Sequence, residues 1–273
     1  MSNEPRESKK TTKEKAAAAR AAAEAEQRRR DRRVRIIGGV AIAVVMGLII
    51  GIGIWGSRKD SSGGSTTPGG IVADAALPTG VFGADNTNAW GVPYNKADGK
   101  PTLAVWEDFQ CPACGSLEKQ VGTQLEKLAT DGKVNLVWRP TAFLDANFPS
   151  SPNPNSSIRA AAAWGCAIDA GKTGEYHNVV FANQPAQEGD GWSNDQLIAF
   201  GKDAGITGSA FDTFTQCVNA STYSQWANNS YQTFIDSKIP GTPAVFLNGQ
   251  EVPIKTVIDI PALEKLISEA SGS

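Results

Sequence analysis

Cys111 and Cys114, in Phe109-Gln110-Cys111-Pro112-Ala113-Cys114-Gly115, are two thiols three positions apart. On the first turn of a helix such a pair closes a small disulfide ring and opens it again, so it can carry two electrons. The unpaired N–H groups and positive dipole end of that helix favour a thiolate at the first sulfur. Pro112 suits the first helical position, where its missing N–H costs nothing, and it holds the turn with Cys111 outward and Cys114 one turn in. The outer sulfur would attack and the inner one resolve. Zinc would need two more ligands at metal spacing, but Cys166 and Cys217 stand alone and His177 is the one histidine. A purely structural ring this tight is strained and easily reduced, which makes it a poor staple. Neither a metal nor an organic cofactor is expected.

The elements that must hold this turn are legible on both sides of it. Thr102 to Phe109 reads as a strand with a buried run at Leu103-Ala104-Val105-Trp106, and Ser116 to Thr130 reads as a helix. After Asp131-Gly132, Lys133 to Trp138 is a second buried run, so strand, helix and strand predict a parallel βαβ unit. Gly83 to Lys100 is turn-rich and leaves room for a short edge strand or hairpin. Residues 155–238 then turn helical, with segments at Ile158 to Ala170, Glu175 to Asn183, Asn194 to Ala204, Ser209 to Asn219 and Tyr223 to Ser237. Ala244 to Leu247 and Glu251-Val252 read as a hairpin turning on Asn248-Gly249, followed by a last helix over Ile260 to Ala270.

The N-terminal part has a different character. Residues 1–35 carry 12 Lys/Arg against 6 Asp/Glu and have no apolar face, which reads as a disordered cytoplasmic tail. Ile36 to Trp55 is an uncharged run of 20 residues, long enough as a helix to span a hydrocarbon core of about 30 Å. The preceding positive charge puts the N-terminus in the cytoplasm and the rest outside, with the run retained as a single-pass membrane anchor; a cleaved signal peptide ending at the small-x-small Ala73-Asp74-Ala75 is the rival, but its apolar core would be shorter and its cut would follow closely. Residues 56–77, rich in Ser, Gly and Thr at their start, form a flexible tether, and residues 78–273 form the folded domain. That part is net acidic and has no basic stripe with interleaved aromatics, which argues against nucleic acid. Cys166 and Cys217 fall on two predicted helices. They form a structural disulfide, worth on the order of 4 kcal/mol by loop closure, or remain two buried thiols. His177 reads as a surface or packed histidine, and Trp164, Trp192 and Trp226 as core residues or as the lining of a groove.

Strand, C-P-x-C helix, strand, helical insertion, then Gly241-Thr242-Pro243 before a hairpin and helix resembles the thioredoxin fold of the DsbA-like class, over about Pro78 to Ser271. Glu107-Asp108-Phe109-Gln110-Cys111-Pro112-Ala113-Cys114 and Gly241-Thr242-Pro243-Ala244-Val245-Phe246 most resemble the single-pass DsbA-like proteins of actinobacteria. The resemblance implies an α/β thioredoxin fold with a helical insertion, a cis Thr242–Pro243 bond facing Cys111, and a second cysteine pair. It also implies that Pro112, Ala113, Thr242 and Pro243 support the site, with the backbone of Thr242 free to pair with an extended substrate. The function implied is a thiol–disulfide oxidoreductase that oxidises reduced secreted proteins. A DsbB-like or vitamin K epoxide reductase-like membrane protein would reoxidise it. A reductase or isomerase of the same fold, and a non-catalytic peptide-binding module, are the alternatives. One departure stands out. Many proteins of this fold have a buried acid six residues before the first cysteine, where this chain has Val105. Glu107 shares a strand face with Val105 and reads as a solvated or paired acid beside the site, or as a proton relay.

Overall fold

The computed structural model describes residues 70–271. The expected cytoplasmic tail, the Ile36–Trp55 span and most of the tether lie outside the described residues. Among the described residues no helix is long and apolar enough to cross a membrane.

Five strands form one sheet: β1 (Val92–Pro93), β2 (Thr102–Glu107), β3 (Asn135–Pro140), β4 (Ala244–Leu247) and β5 (Gln250–Val252), in the order β1-β3-β2-β4-β5. β2 and β3 run parallel and every other pairing is antiparallel. The parallel pair needs a crossover. It is supplied by α1 (Pro112–Leu117), a π-helical turn (Glu118–Gly122) and α2 (Thr123–Thr130). The helix therefore begins four residues earlier than its apolar pattern indicates, because Pro112 is already at its first position. The hairpin turns on Asn248 and Gly249, both at positive φ, as a two-residue turn of the primed kind requires. Asn248 also clips this turn to β2: its Oδ1 accepts from the N–H of Thr102 at 2.9 Å and its own N–H donates to the Thr102 carbonyl at 2.8 Å.

The insertion consists of α3 (Ser156–Asp169), α4 (Thr173–Ala182), α5 (Asn194–Asp203), α6 (Gly208–Asn219) and α7 (Ser224–Asp236). α3 is its central helix. A run of small residues, Ala160 to Ala163, lets neighbours approach α3 on several sides, and its residues from Ala160 to Ile168 are all buried. Each of the three tryptophans is buried, and each indole N–H finds a carbonyl: Trp164 on Thr173, Trp192 on Asn183 and Trp226 on Trp90, at 2.8 to 2.9 Å. They build the core, because a buried indole with its one donor satisfied is stable there. Two short helices close the chain, α8 (Ile254–Val257) and α9 (Ile260–Ser271).

A disulfide joins Cys166 of α3 to Cys217 of α6, with Cα atoms 5.8 Å apart and a sequence separation of 51. Attachment to the domain begins earlier than residue 78. The side-chain amide of Asn229 accepts from the Val72 N–H at 3.0 Å and donates to its carbonyl at 2.7 Å, so part of the expected tether is pinned to α7. Replacing Cys166 and Cys217 together by alanine is expected to lower unfolding stability by about 2–5 kcal/mol. Urea denaturation of the double variant with Cys111 and Cys114 kept reduced checks this.

Candidate active site

Cys111 is the N-cap of α1, in an extended conformation, and Pro112 follows at the first helical position. Cys114 lies one turn in and is fully buried. Both are free thiols in this structure. The Thr242–Pro243 bond is cis, and it brings the Thr242 carbonyl to 3.5 Å from Cys111 Sγ, which donates to it. This corrects one expectation: Cys111 is only 6% exposed, because the segment before β4 folds over it. Pro112 and Ala113 are the exposed part of the motif, and Thr242 and Pro243 are half-buried beside it.

The two thiols sit in opposed electrostatic settings. The Cys111 thiol is brought down from 9.0 to about 6, first by the hydrogen bond that Cys114 gives its thiolate. The Thr242 hydroxyl, buried and without another partner, and the N–H groups at the start of α1 add to this, against the cost of burial. Burial pushes the Cys114 thiol well above its ordinary value, and the Cys111 and Glu107 charges push it further. One sulfur is therefore a ready thiolate at neutral pH, and the other keeps its proton.

Behind Cys114 lies a buried acid cluster. Glu107 ends β2 on the core face, is 4% exposed and approaches His177 Nε2 of α4 at 3.1 Å through Oε2. It is neither solvated nor at the sheet surface, because α3 and α4 close over the end of the strand. Glu118 reaches the same point from the π-helical turn, where Gly122 makes room for it: a Cβ on Gly122 would lie 2.3 Å from Glu118 Oε2. Desolvation pushes the Glu107 carboxyl up to about 8 and the Glu118 carboxyl well above the usual range, and it lowers His177. At neutral pH the cluster consists of protonated acids beside a neutral imidazole. Glu118, half-buried, also lines an open groove of about 700 Å³ with Lys119, Phe181 and Gln184, so a proton has a way out to water. One ligand atom from each of Glu107, Glu118 and His177 lies within 4.8 Å of the others, the one such group among the described residues that a cation would bridge.

A family profile described as thioredoxin matches residues 92–269. The chain belongs to the thioredoxin family. Oxidised DsbA of Mycobacterium tuberculosis is 28% identical, with a TM-score of 0.52 over 71% of this chain and 89% of that one. The reduced disulfide bond oxidoreductase DsbG of the same organism is 27% identical, with a TM-score of 0.51 over 71% and 88%. BdbD of Bacillus subtilis shares the fold at 17% identity, with a TM-score of 0.56 over 74% and 99%. No curated protein sequence matches the chain. This thioredoxin-family chain is a thiol–disulfide oxidoreductase of the DsbA type.

Within this thioredoxin-fold site, several residues that hold the cysteine turn carry no local signal. Gln184, just beyond α4, donates to the carbonyls of Phe109 and Cys111 at 2.8 and 2.9 Å. Gly115 permits that approach, since a Cβ there would stand 2.1 Å from Gln184 Oε1. Asp108 is buried and accepts from the N–H of Gln110 at 2.9 Å, the N–H of Leu144 at 3.1 Å and the hydroxyl of Ser157 at 2.6 Å. Gln110 in turn donates to Ser157 and to Asp145. The strand-to-helix turn is thus bolted to α3 and α4. A short polar residue such as Asp108 before the motif is a faint hint of such a role, whereas Gln184 has none.

Replacing Cys114 by alanine removes the donor to the Cys111 thiolate. Its pKa, followed by thiolate absorbance, is expected to climb from about 6 toward the free value of about 8.5. Cys114→Ser keeps a donor and should stay lower than the alanine variant. The buried acid gives a second expectation, for the stability of the reduced protein. A carboxyl at 4.5 when unfolded and about 8 when folded binds more protons in the native state across that window, so stability falls as pH rises through it. Glu107→Gln cannot ionise and still accepts from His177. Above pH 8 it should exceed the wild type by on the order of 5 kcal/mol in denaturant unfolding, with the difference vanishing near pH 4.

Proposed function

We propose that this chain donates a Cys111–Cys114 disulfide to reduced secreted proteins outside the cytoplasmic membrane, where Ile36–Trp55 anchors it with the N-terminus inside. The single observation behind the direction is the split between the thiols, with Cys111 brought down to about 6 and Cys114 pushed far up. A thiol is a better leaving group the lower its pKa, and a stabilised Cys111 thiolate favours the reduced enzyme. The corresponding group in thioredoxin, a reductant, lies at about 7.

In the first step a substrate thiolate attacks Cys111 Sγ of the oxidised enzyme. The Cys111–Cys114 bond breaks, and a mixed disulfide forms at Cys111. Cys114 leaves with the electron pair into a setting that does not tolerate its charge, and the protonated Glu107 carboxyl is the proton source coupled to it. Glu107 regains a proton through Glu118, which lies at the groove. In the second step another substrate thiolate attacks the substrate sulfur of the mixed disulfide, and Cys111 departs as the thiolate. The substrate has lost two electrons and the enzyme has gained them, as a Cys111 thiolate and a Cys114 thiol; of the two protons the substrate thiols release, one balances that taken up at Cys114 and the other stays in solution. A quinone-linked membrane protein, DsbB-like or similar to vitamin K epoxide reductase, takes the two electrons to restore the disulfide. No metal or organic cofactor takes part in these steps.

Equilibration of the protein with glutathione buffers tests the reading. The expected reduction potential is well above the about −270 mV of thioredoxin. A value at or below that figure would reverse the direction of electron flow and assign the chain to disulfide reduction.

A further inference from the structure

The face of the sheet turned away from Cys114 contains a second site. Side chains alternate along β2, so Leu103, Val105 and Glu107 enter the main core while Ala104 and Trp106 emerge on the other side. There Ala104, Trp106 and Phe246 floor a pocket of about 550 Å³, with Ile239 and Arg139 in its walls. That volume is in the usual range for a small-molecule site.

Arg139 is what makes the pocket more than an uncovered apolar face. It is 8% exposed, and its guanidinium lies 4.0 Å over the Trp106 ring. Nη2 donates to the Ala89 carbonyl at 2.9 Å, while the buried Nε has no partner. Among the described residues no carboxylate pairs with it, and burial alone pulls its pKa down to about 10. A desolvated cation normally has a counter-charge, because an unpaired one is costly. Arginine also presents a planar fork that matches a carboxylate. A peptide strand is a poor fit, since β2 lies between β3 and β4 and its backbone groups are taken up by those ladders.

We propose that this pocket binds a small amphipathic carboxylate, its carboxylate on the Arg139 guanidinium and its apolar body on Ala104, Trp106 and Phe246. The site is independent of the cysteine chemistry, which takes place across the sheet. The test uses the full chain in phosphatidylcholine discs with 4-phenylbutyrate as probe, followed by ligand-observed nuclear magnetic resonance, with 4-phenylbutanol as the uncharged control. The acid should bind saturably and at least ~10-fold more tightly than the alcohol, the range of a hydrogen bond to a charged partner. Arg139→Met keeps the stem over Trp106 and should erase that preference. Ala104→Leu fills the floor and should weaken both ligands. The absence of saturable acid binding, equal affinity for acid and alcohol, or an undiminished preference in Arg139→Met overturns the proposal. If Arg139→Met does not fold, acid binding unchanged in Ala104→Leu overturns it instead, and weakened binding there supports it.

Discussion

The hydrogen bond from Cys114 to the Cys111 thiolate depends on holding two sulfurs of one helical turn at different depths. Cys111 caps the helix, where N–H groups without partners meet its charge, while Cys114 faces a core that rejects charge. The same covalent motif in open solvent would have two similar thiols. The asymmetry comes from burial, and burial comes from the sheet below and the helical insertion above.

Much of the insertion serves to keep that turn in place. Asp108 and Gln110 tie the chain before the helix to Ser157 at the start of α3, and Gln184 beyond α4 holds the carbonyls of Phe109 and Cys111. α3 is in turn fixed to α6 by the Cys166–Cys217 disulfide. A one-turn redox motif has little rigidity of its own. Here its geometry is borrowed from helices more than forty residues away in sequence.

The buried acids carry a cost that the fold accepts. Glu107, Glu118 and His177 meet in a space from which burial removes most of the solvation, and the cluster keeps low charge by holding protons. Replacing such a group by an apolar one of similar size would suit the core. Its retention next to the thiol that must gain and lose a proton fits a role in that transfer. Glu107 stands four residues before Cys111, two residues nearer than the usual acid, and the side-chain alternation of β2 still delivers it to the core face.

The sequence by itself determined what depends on neighbours along the chain. The C-x-x-C pair with proline at the first helical position, the buried β2 run, the Asn248-Gly249 turn and the periodicity of five inserted helices are all local, and each stands within a few residues of its expected place. Tertiary structure alone decided how deep Cys111 lies, because the covering carbonyl comes from Thr242, 131 residues on. It also turned Glu107 from a plausible surface acid into a buried partner of His177, 70 residues away, and it selected Gln184 from many polar residues in loops. Contacts across such distances are set by how helices rotate and pack, and a rotation of one residue in α4 would turn His177 by about 100° away from the cluster.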